Sequence, residues 1–291
     1  MVETKKQDDA HKFRRKTKLT GICDLKDTKK GKTAVVWCSG PTFADYKDTE
    51  IPEDWERFSV NETIKRDWSG WGGRNPEYWV LSDIPVVEKF SRHCPPDSTI
   101  LAMHRATETI VARCPQNKIY TVNSMPDTHI KTFDNGYEFF SRRTVLIGAV
   151  EMARYMGFKR FFVFGLDLFR LPSKYYYDGK DAITMGERRS PEKFQVRGKE
   201  NRYQGQRIYQ TPNLRAARLM LGEVKKAGLW SDIDIHVVGS PISQQDTVPK
   251  MSKEEFENIL MREKVTRPPS RDDPIKMVPL LQNNGKARKI E

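Results

Sequence analysis

The chain has 291 residues, of which 31% are charged and 37% hydrophobic, a length that allows one large or two ordinary domains. No run approaches the roughly 18 to 20 apolar residues of a membrane span, and the polar N-terminus does not resemble a signal peptide. The net charge of +12 favours a polyanionic partner: nucleic acid, a phosphorylated substrate or an anionic membrane surface. Four scattered cysteines without a C-x-x-C pair (Cys23, Cys38, Cys94 and Cys114) predict reduced thiols in a cytoplasmic protein, and neither a disulfide framework nor a zinc site.

In chain order, residues 1–30 are polar, Lys-rich and without periodicity, which predicts a flexible basic arm. Residues 31–248 show the pattern of a single α/β domain, with short apolar runs separated by helical segments. The predicted strands are Thr33–Cys38, Arg57–Val60, Tyr78–Ser82, Thr99–Ala102, Lys118–Val122, Arg160–Phe164 and Asp234–Val238.

Two helices are predicted inside this domain. The first covers Thr144–Met156 and ends before Gly157; the second has Thr211 as N-cap and Pro212 at its first position, and runs to Ala227. Residues 249–291 are predicted to form a short charged helix, Ser252–Lys264, and a flexible tail. Strands that alternate with helices predict an α/β, Rossmann-like, open and mostly parallel sheet.

The stretch Cys38-Ser-Gly-Pro-Thr42 follows a buried strand and predicts a tight turn that opens into a helix. Gly40 allows close approach of a ligand, and the N–H groups of such a turn form an anion site suited to a nucleotide phosphate. A purely structural turn fits the same residues equally well, because neither G-x-G-x-x-G nor the Walker spacing is present.

Ligands of parallel α/β sheets bind beyond the carboxyl ends of the strands. Applied to the predicted strands, this rule selects a set of polar groups at one edge of the sheet: Ser39, Gly40, Asn61, Asp83, Asn123 and Gly165–Asp167.

Several blocks of the chain, taken together in their order and spacing, resemble the bacterial family-42 sialyltransferases. They also resemble the wider group of flagellin-modifying glycosyltransferases and pterin diphosphokinase-like proteins. The blocks are Ser39–Thr42 with Phe58–Asn61, Arg142–Thr144, Phe164–Asp167, Tyr175–Asp178 and Gly239–Ser243, spread over roughly residues 32–245. This resemblance implies a single-domain, GT-A-like glycosyltransferase fold.

The resemblance also implies a nucleotide-sugar co-substrate and assigns its contacts. Asp83 stands where the family carries an asparagine near the donor phosphate, and Tyr175 matches one of two tyrosines that stabilise the departing phosphate. Phe169 stands at the position of the other tyrosine. The donor-binding residues implied in this way are Ser39, Gly40, Thr42, Asn61, Arg142, Thr144 and Asp167.

Glycosyl transfer needs a general base, and the family uses a histidine before the penultimate helix. Residues 202–211 contain no histidine, which weighs against sialyl transfer itself. The replacement candidates are Asp83 and Asp167, which would serve if their pKa values are raised, and His104, which follows a predicted strand. Asp167 can alternatively orient a ribose.

Residues 187–226 contain eleven Lys or Arg and only four Glu, with aromatic residues interleaved. In the family this region is a lid, here predicted over residues 170–212, and its excess of positive charge predicts an anionic acceptor. A hydroxymethylated base in DNA fits, as does a phosphorylated or lipid-linked glycan, and a merely solvated loop is the alternative. The predicted acceptor- or phosphate-binding residues are Arg188, Arg189, Arg202 and Arg207.

The first functional hypothesis is therefore a glycosyltransferase without a metal, which moves a sugar from a nucleotide donor to an anionic acceptor. The second is a diphosphokinase-like transferase in which Asp83 and Asp167 hold Mg²⁺. The third is a catalytically inactive module that binds a nucleotide or nucleic acid. The sequence does not predict an oligomeric state.

Overall fold

The computed structural model describes residues 19–46, 49–66, 68, 74–103, 106–124, 138–139, 144–168, 202–203, 206–207, 212–239 and 248–266. The strands are β1 (Leu19–Gly21), β2 (Thr33–Trp37), β3 (Glu56–Val60), β4 (Tyr78–Leu81), β5 (Thr99–Met103), β6 (Ile119–Ser124), β7 (Glu138–Phe139), β8 (Arg160–Phe164), β9 (Arg202–Tyr203), β10 (Gln206–Arg207), β11 (Asp234–Val238) and β12 (Lys250–Met251). The α-helices are α1 (Ile84–Phe90), α2 (Thr107–Arg113), α3 (Val145–Tyr155), α4 (Pro212–Lys226) and α5 (Lys253–Thr266). Two 3-10 helices, Pro41–Tyr46 and Asn61–Lys65, follow β2 and β3.

The strands form one open sheet in the order β1-β6-β5-β4-β3-β2-β8-β11-β12, with β7 beside β6. Every pair in this sheet is parallel, and only the small β9–β10 hairpin is antiparallel. From β2 the chain proceeds outward through β3, β4, β5 and β6, and it returns to the other side of β2 with β8. The sheet therefore has its topological switch point between β2 and β8, which confirms the predicted α/β, Rossmann-like class.

The seven predicted strands and three predicted helices are confirmed, with bounds that differ by two residues at most. The sheet of the structure includes strands beyond both ends of the predicted 31–248 domain. Residues 19–30, assigned to the arm, carry β1 and a 3-10 helix whose Ile22 and Leu25 are buried. Residues 249–266, predicted as a short charged helix and the start of the tail, add β12 to the sheet and bury Phe256 and Leu260 of α5.

Helices cover both faces of the sheet, which explains why β2 and β3 are buried along their whole length. Helices α3 and α4 pack on the face that carries Val36 and Val163. The opposite face carries Trp37 and Phe164 under the Pro41–Tyr46 turn and α5, while α1 and α2 cover its other half.

At the amino ends of β3, β4 and β5, charged residues line a cavity of about 510 Å³. Its central group is buried Glu56, whose Oε1 accepts hydrogen bonds from Lys29 (2.8 Å) and Lys32 (2.7 Å) and whose Oε2 accepts one from the Tyr78 hydroxyl (2.9 Å). Burial opposes ionisation of this carboxyl, but the three donors hold the pKa of Glu56 below its usual value. Both oxygens of this carboxylate thus have protein partners, and the network lies at the edge opposite the switch point.

Candidate nucleotide site at the carboxyl edge

The turns that follow β2 and β8 are packed directly against each other at the switch point. The Cys38 N–H donates to the Phe164 carbonyl (2.8 Å), and the Gly40 N–H donates to the Gly165 carbonyl (2.9 Å). A Cβ at Gly40 would lie 2.4 Å from the Gly165 oxygen, so only glycine permits this approach. The sequence predicts that Gly40 lets a ligand approach closely; in the structure the group that approaches it is the protein's own backbone.

Asp167 is the carboxyl group held by this turn. Its Oδ2 accepts a hydrogen bond from the Thr42 N–H (2.7 Å) and its Oδ1 accepts one from the Thr42 hydroxyl (2.5 Å). The carboxyl is 1% exposed, and burial raises its pKa to about 7 against the opposing effect of the two bonds from Thr42. The Phe43 N–H donates to the Gly40 carbonyl (3.1 Å). The N–H groups of residues 40, 42 and 43 are therefore used within the protein, and Thr42 and Asp167 fix the shape of the turn.

Replacing Thr42 by valine keeps the side-chain shape and removes the hydroxyl that bonds the buried Asp167. Because one carboxylate oxygen then loses its donor, we expect the T42V variant to lose about 1 to 3 kcal/mol of unfolding free energy at pH 8. Urea denaturation measures this, and T42S, which keeps the hydroxyl, serves as the matched control. Equal stability of T42V and wild type would contradict the role of this bond.

The polar groups that remain available at this edge follow β2, β3 and β4. Register pairs Trp37 with Ser59, so Ser39 and Asn61 each lie two residues beyond that pair. Ser39 is half-buried, and its hydroxyl bonds no residue of the described ranges. Asp83 is exposed at the N-cap position of α1, where its carboxylate makes no capping hydrogen bond.

Asn61 has a left-handed backbone (φ 52°), and its carbonyl accepts a hydrogen bond from Trp79 Nε1 (2.8 Å). Its side-chain oxygen Oδ1 is buried without a hydrogen bond to any described residue. A buried amide oxygen without a partner is rare and costs free energy, so it marks a position where a ligand can supply the donor.

Thr144 caps α3, with its side chain accepting a hydrogen bond from the Leu146 N–H (3.3 Å). Eleven helical residues span about 16 Å, which matches the roughly 16 Å of a five-residue strand. Because α3 ends at the amino edge just before β8, its Thr144 end lies near the carboxyl edge. Donor binding by Thr144 stays a prediction, and the topology puts this residue on the side of the sheet where the strands end.

Two buried groups at this edge were missed by the sequence analysis. Glu62, 3% exposed, directly follows Asn61, and the Cys38 thiol follows β2. Burial, and after it the negative charges of Asp167 and Glu62, raise the pKa of the Cys38 thiol far above its usual value. The rule that ligands bind beyond the carboxyl ends of the strands (the strand-end rule) would have selected Glu62 if it had been applied to one residue past Asn61.

The structure describes only some of the remaining predicted site residues. His104, Arg142, Tyr175, Arg188 and Arg189 lie outside the described residues. Arg202 and Arg207 face each other as backbone partners in the β9–β10 hairpin. Asn123 lies within β6, not after it. The two aspartates of the magnesium hypothesis are placed differently, with Asp83 exposed and Asp167 enclosed by Thr42.

Across the described ranges, no group of three or more His, Cys, Asp or Glu side chains is arranged to hold a metal ion. The same ranges contain no helix with the length and apolar character needed to cross a membrane.

Comparison with known proteins gives one structural similarity. No protein-family model matches the chain, and no curated protein sequence matches it. Among solved structures, the chain is similar to the sialyltransferase CstII from Campylobacter jejuni in complex with the substrate analogue cytidine-5'-monophosphate. The two share 10% identity with a TM-score of 0.38, over 72% of this chain and 80% of that one. A similarity of this size does not assign an activity.

Proposed function

We propose that this protein is a glycosyltransferase that moves a sugar from a nucleotide-activated donor to an anionic acceptor. The observation that carries the proposal is the row of polar side chains at the switch point of the sheet. Ser39, Asn61 and Asp83 follow three neighbouring parallel strands, and the buried Oδ1 of Asn61 has no donor among the described residues. Crevices at such switch points are where open α/β sheets bind nucleotides.

In this proposal the donor nucleotide lies across the ends of β2 and β3. The Ser39 hydroxyl and the Asn61 amide bind it, and the bond between Thr42 and Asp167 keeps the turn from moving as the donor binds. A rigid turn lowers the entropy lost on binding. Arg142 is proposed to bind the donor, and Tyr175 is proposed to stabilise the charge that develops on the leaving phosphate, as the sequence resemblance implies.

The proposed acceptor is anionic because the chain carries a net charge of +12 and concentrates Lys and Arg in residues 187–226. Arg188, Arg189, Arg202 and Arg207 would contact its phosphates. A hydroxymethylated base in DNA is one acceptor of this kind. Binding of the DNA, and with it sugar transfer, would then weaken steeply as the salt concentration rises.

A thermal-shift screen against nucleoside monophosphate and diphosphate sugars tests the proposal. A donor at 100 times its Kd adds about 2.7 kcal/mol to the stability of the protein, which gives a clear rise in Tm. The N61G variant removes the amide and tolerates the positive φ, so we expect it to bind the same donor about tenfold more weakly. N75A, at the exposed amino edge, is the matched control and should bind normally.

Three results would contradict the proposal. If no sugar nucleotide stabilises the protein, the proposal loses its basis. Stabilisation only by ATP with Mg²⁺ would favour diphosphate transfer. Salt-sensitive DNA binding without nucleotide turnover would favour an inactive binding module.

A further inference from the structure

Two of the four cysteines lie together on the face of the sheet that α1 and α2 cover. Cys94 directly follows the 3-10 helix Ser91–His93, which extends α1, and Cys114 is the residue at which α2 ends. Both belong to the hydrophobic cluster under these helices, whereas Cys38 belongs to the cluster on the opposite face of the sheet. The fold thus brings together two free thiols that the sequence analysis treated as scattered.

Two shared neighbours and a direct contact hold these thiols side by side. The Ser91 carbonyl oxygen accepts hydrogen bonds from the Cys94 N–H (3.0 Å) and from the Cys114 thiol (3.9 Å). Asn117 donates its N–H to the Cys114 carbonyl (3.2 Å) and its Nδ2 hydrogen to the Cys94 Sγ (3.5 Å). The two thiols also hydrogen-bond each other directly. No other side chain therefore separates the two sulfur atoms.

The direct hydrogen bond eases ionisation of the pair. Donation from the Cys94 thiol stabilises a thiolate on Cys114 and holds the pKa of Cys114 below its usual value. Burial acts in the opposite direction, and the positive charge of Arg113 adds to the lowering. A proton that moves along the hydrogen bond lets either sulfur carry the negative charge. The thiolate is the form of cysteine that attacks oxidants.

Cys94 is the member of the pair that a reagent can reach. It is 7% exposed, while Cys114 is 0% exposed. His93 and Pro96, on either side of Cys94 in the chain, are exposed, so the Cys94 sulfur lies directly under the protein surface. Hydrogen peroxide is little larger than water and requires only a small opening there. The second sulfur needs no access from solvent, because its reaction partner is Cys94 itself.

We propose that Cys94 and Cys114 form a site of reversible oxidation, at which hydrogen peroxide links the two sulfurs in a disulfide. The Cys94 proton passes to Cys114, and the Cys94 thiolate attacks a peroxide oxygen. The O–O bond breaks, Cys94 becomes a sulfenic acid, and the departing hydroxide takes the proton of Cys114 as water. The Cys114 thiolate then attacks the Cys94 sulfur and displaces its hydroxide. One thiol and one thiolate are thus oxidised, and the peroxide is reduced to water and hydroxide.

The number of free thiols tests this proposal on the full folded chain. Wild type is treated with hydrogen peroxide, the peroxide is removed with catalase, and the protein is unfolded in iodoacetamide. We expect the number of alkylated cysteines to fall from four to two, and to return to four when dithiothreitol precedes alkylation. The peptide map of the unreduced protein should contain Cys94 linked to Cys114.

Two variants are the controls for this experiment. In C94S the sulfur that Cys114 contacts is gone, so Cys114 should stay open to alkylation after the same treatment. C23S removes a thiol whose neighbours Ile22 and Leu25 pack on the opposite face of the sheet, and it should lose two thiols as wild type does.

Three results would overturn the proposal: four alkylated cysteines in treated wild type, a loss that dithiothreitol does not reverse, or a disulfide between other cysteines. An equal loss of Cys114 alkylation in C94S would contradict it as well. Should C94S not fold, the peptide map of wild type decides alone, because it identifies the linked residues without any substitution.

Discussion

The G165A variant is expected to lose about 3 to 5 kcal/mol of unfolding free energy, because alanine at this position combines two separate penalties. Gly165 has a φ of 65°, a left-handed conformation that costs a residue with a Cβ roughly 1 to 2 kcal/mol. The new Cβ would also lie 2.3 Å from the Cys38 carbonyl oxygen and 2.9 Å from Phe43 Cβ, which forces the two turns apart. Urea denaturation of purified variants measures the loss.

Two glycines of the same chain separate these penalties. Gly228 has a φ of 66° with nothing within 4 Å of a Cβ, so G228A should show the conformational cost alone, about 1 to 2 kcal/mol. Gly222 lies inside α4 with equally open space, and G222A should stabilise the protein by about 0.5 to 1 kcal/mol. If G165A loses no more unfolding free energy than G228A, the result would contradict the close packing of the two turns at the switch point.

Stability is expected to fall as pH rises from 5 to 8, because two buried carboxyls hold their protons more tightly in the folded chain. Burial raises the pKa of Asp167 from 3.8 to about 7 and that of Glu151 from 4.5 to about 7. Each carboxyl contributes its full share to the unfolding free energy below the pKa that it has in the unfolded chain. This contribution is lost as the pH rises through 7, the pKa in the folded chain. Over pH 5 to 8 the loss is about 2 to 3 kcal/mol for each group.

The E151Q variant isolates one of these contributions. Its amide oxygen still accepts the hydrogen bond from Trp230 Nε1, formed at 2.6 Å in the wild type, so the variant should keep the packing and lose about half of the pH dependence. E254Q changes an exposed carboxyl of α5 and should leave the dependence unaltered. His93 has the opposite effect, because partial burial and then the charges of Arg92 and Lys65 lower its pKa. Its contribution to the unfolding free energy therefore increases as the pH rises. A flat stability profile, or one that rises with pH, would refute the expectation.

The parallel sheet could be predicted because its central strands are long enough to show a hydrophobic pattern in the sequence. Five-residue runs such as Thr33–Trp37 and Arg160–Phe164 are apolar on both faces, and the helix after Thr144 has a cap, a 3.6-residue period and a terminating glycine. Strands β1 and β12 have three and two residues, too few to display any period. They form because β6 and β11 offer free edges, which is information that a local pattern does not contain.

The candidate site was predictable only in outline. The strand-end rule located Ser39, Asn61 and Asp83, but it could not show that Thr42 and Asp167, 125 residues apart, bind each other. That bond uses the N–H group that a phosphate was expected to take. Glu62 was overlooked because the rule was applied only as far as Asn61, and the sequence does not show that the next residue is buried.

The pairing of β2 with β8 has a consequence for how the chain acquires its site during synthesis. Thr33 pairs with Arg160, so the centre of the sheet joins segments made far apart in time. Contacts of such large sequence separation slow folding, because the intervening chain must be ordered first. A nascent chain that has not yet reached Asp167 can pair β2 with β3, yet it leaves the turn after β2 without its partner. The carboxyl-edge site is thus completed late, and fragments that end before β8 should be unable to bind a donor.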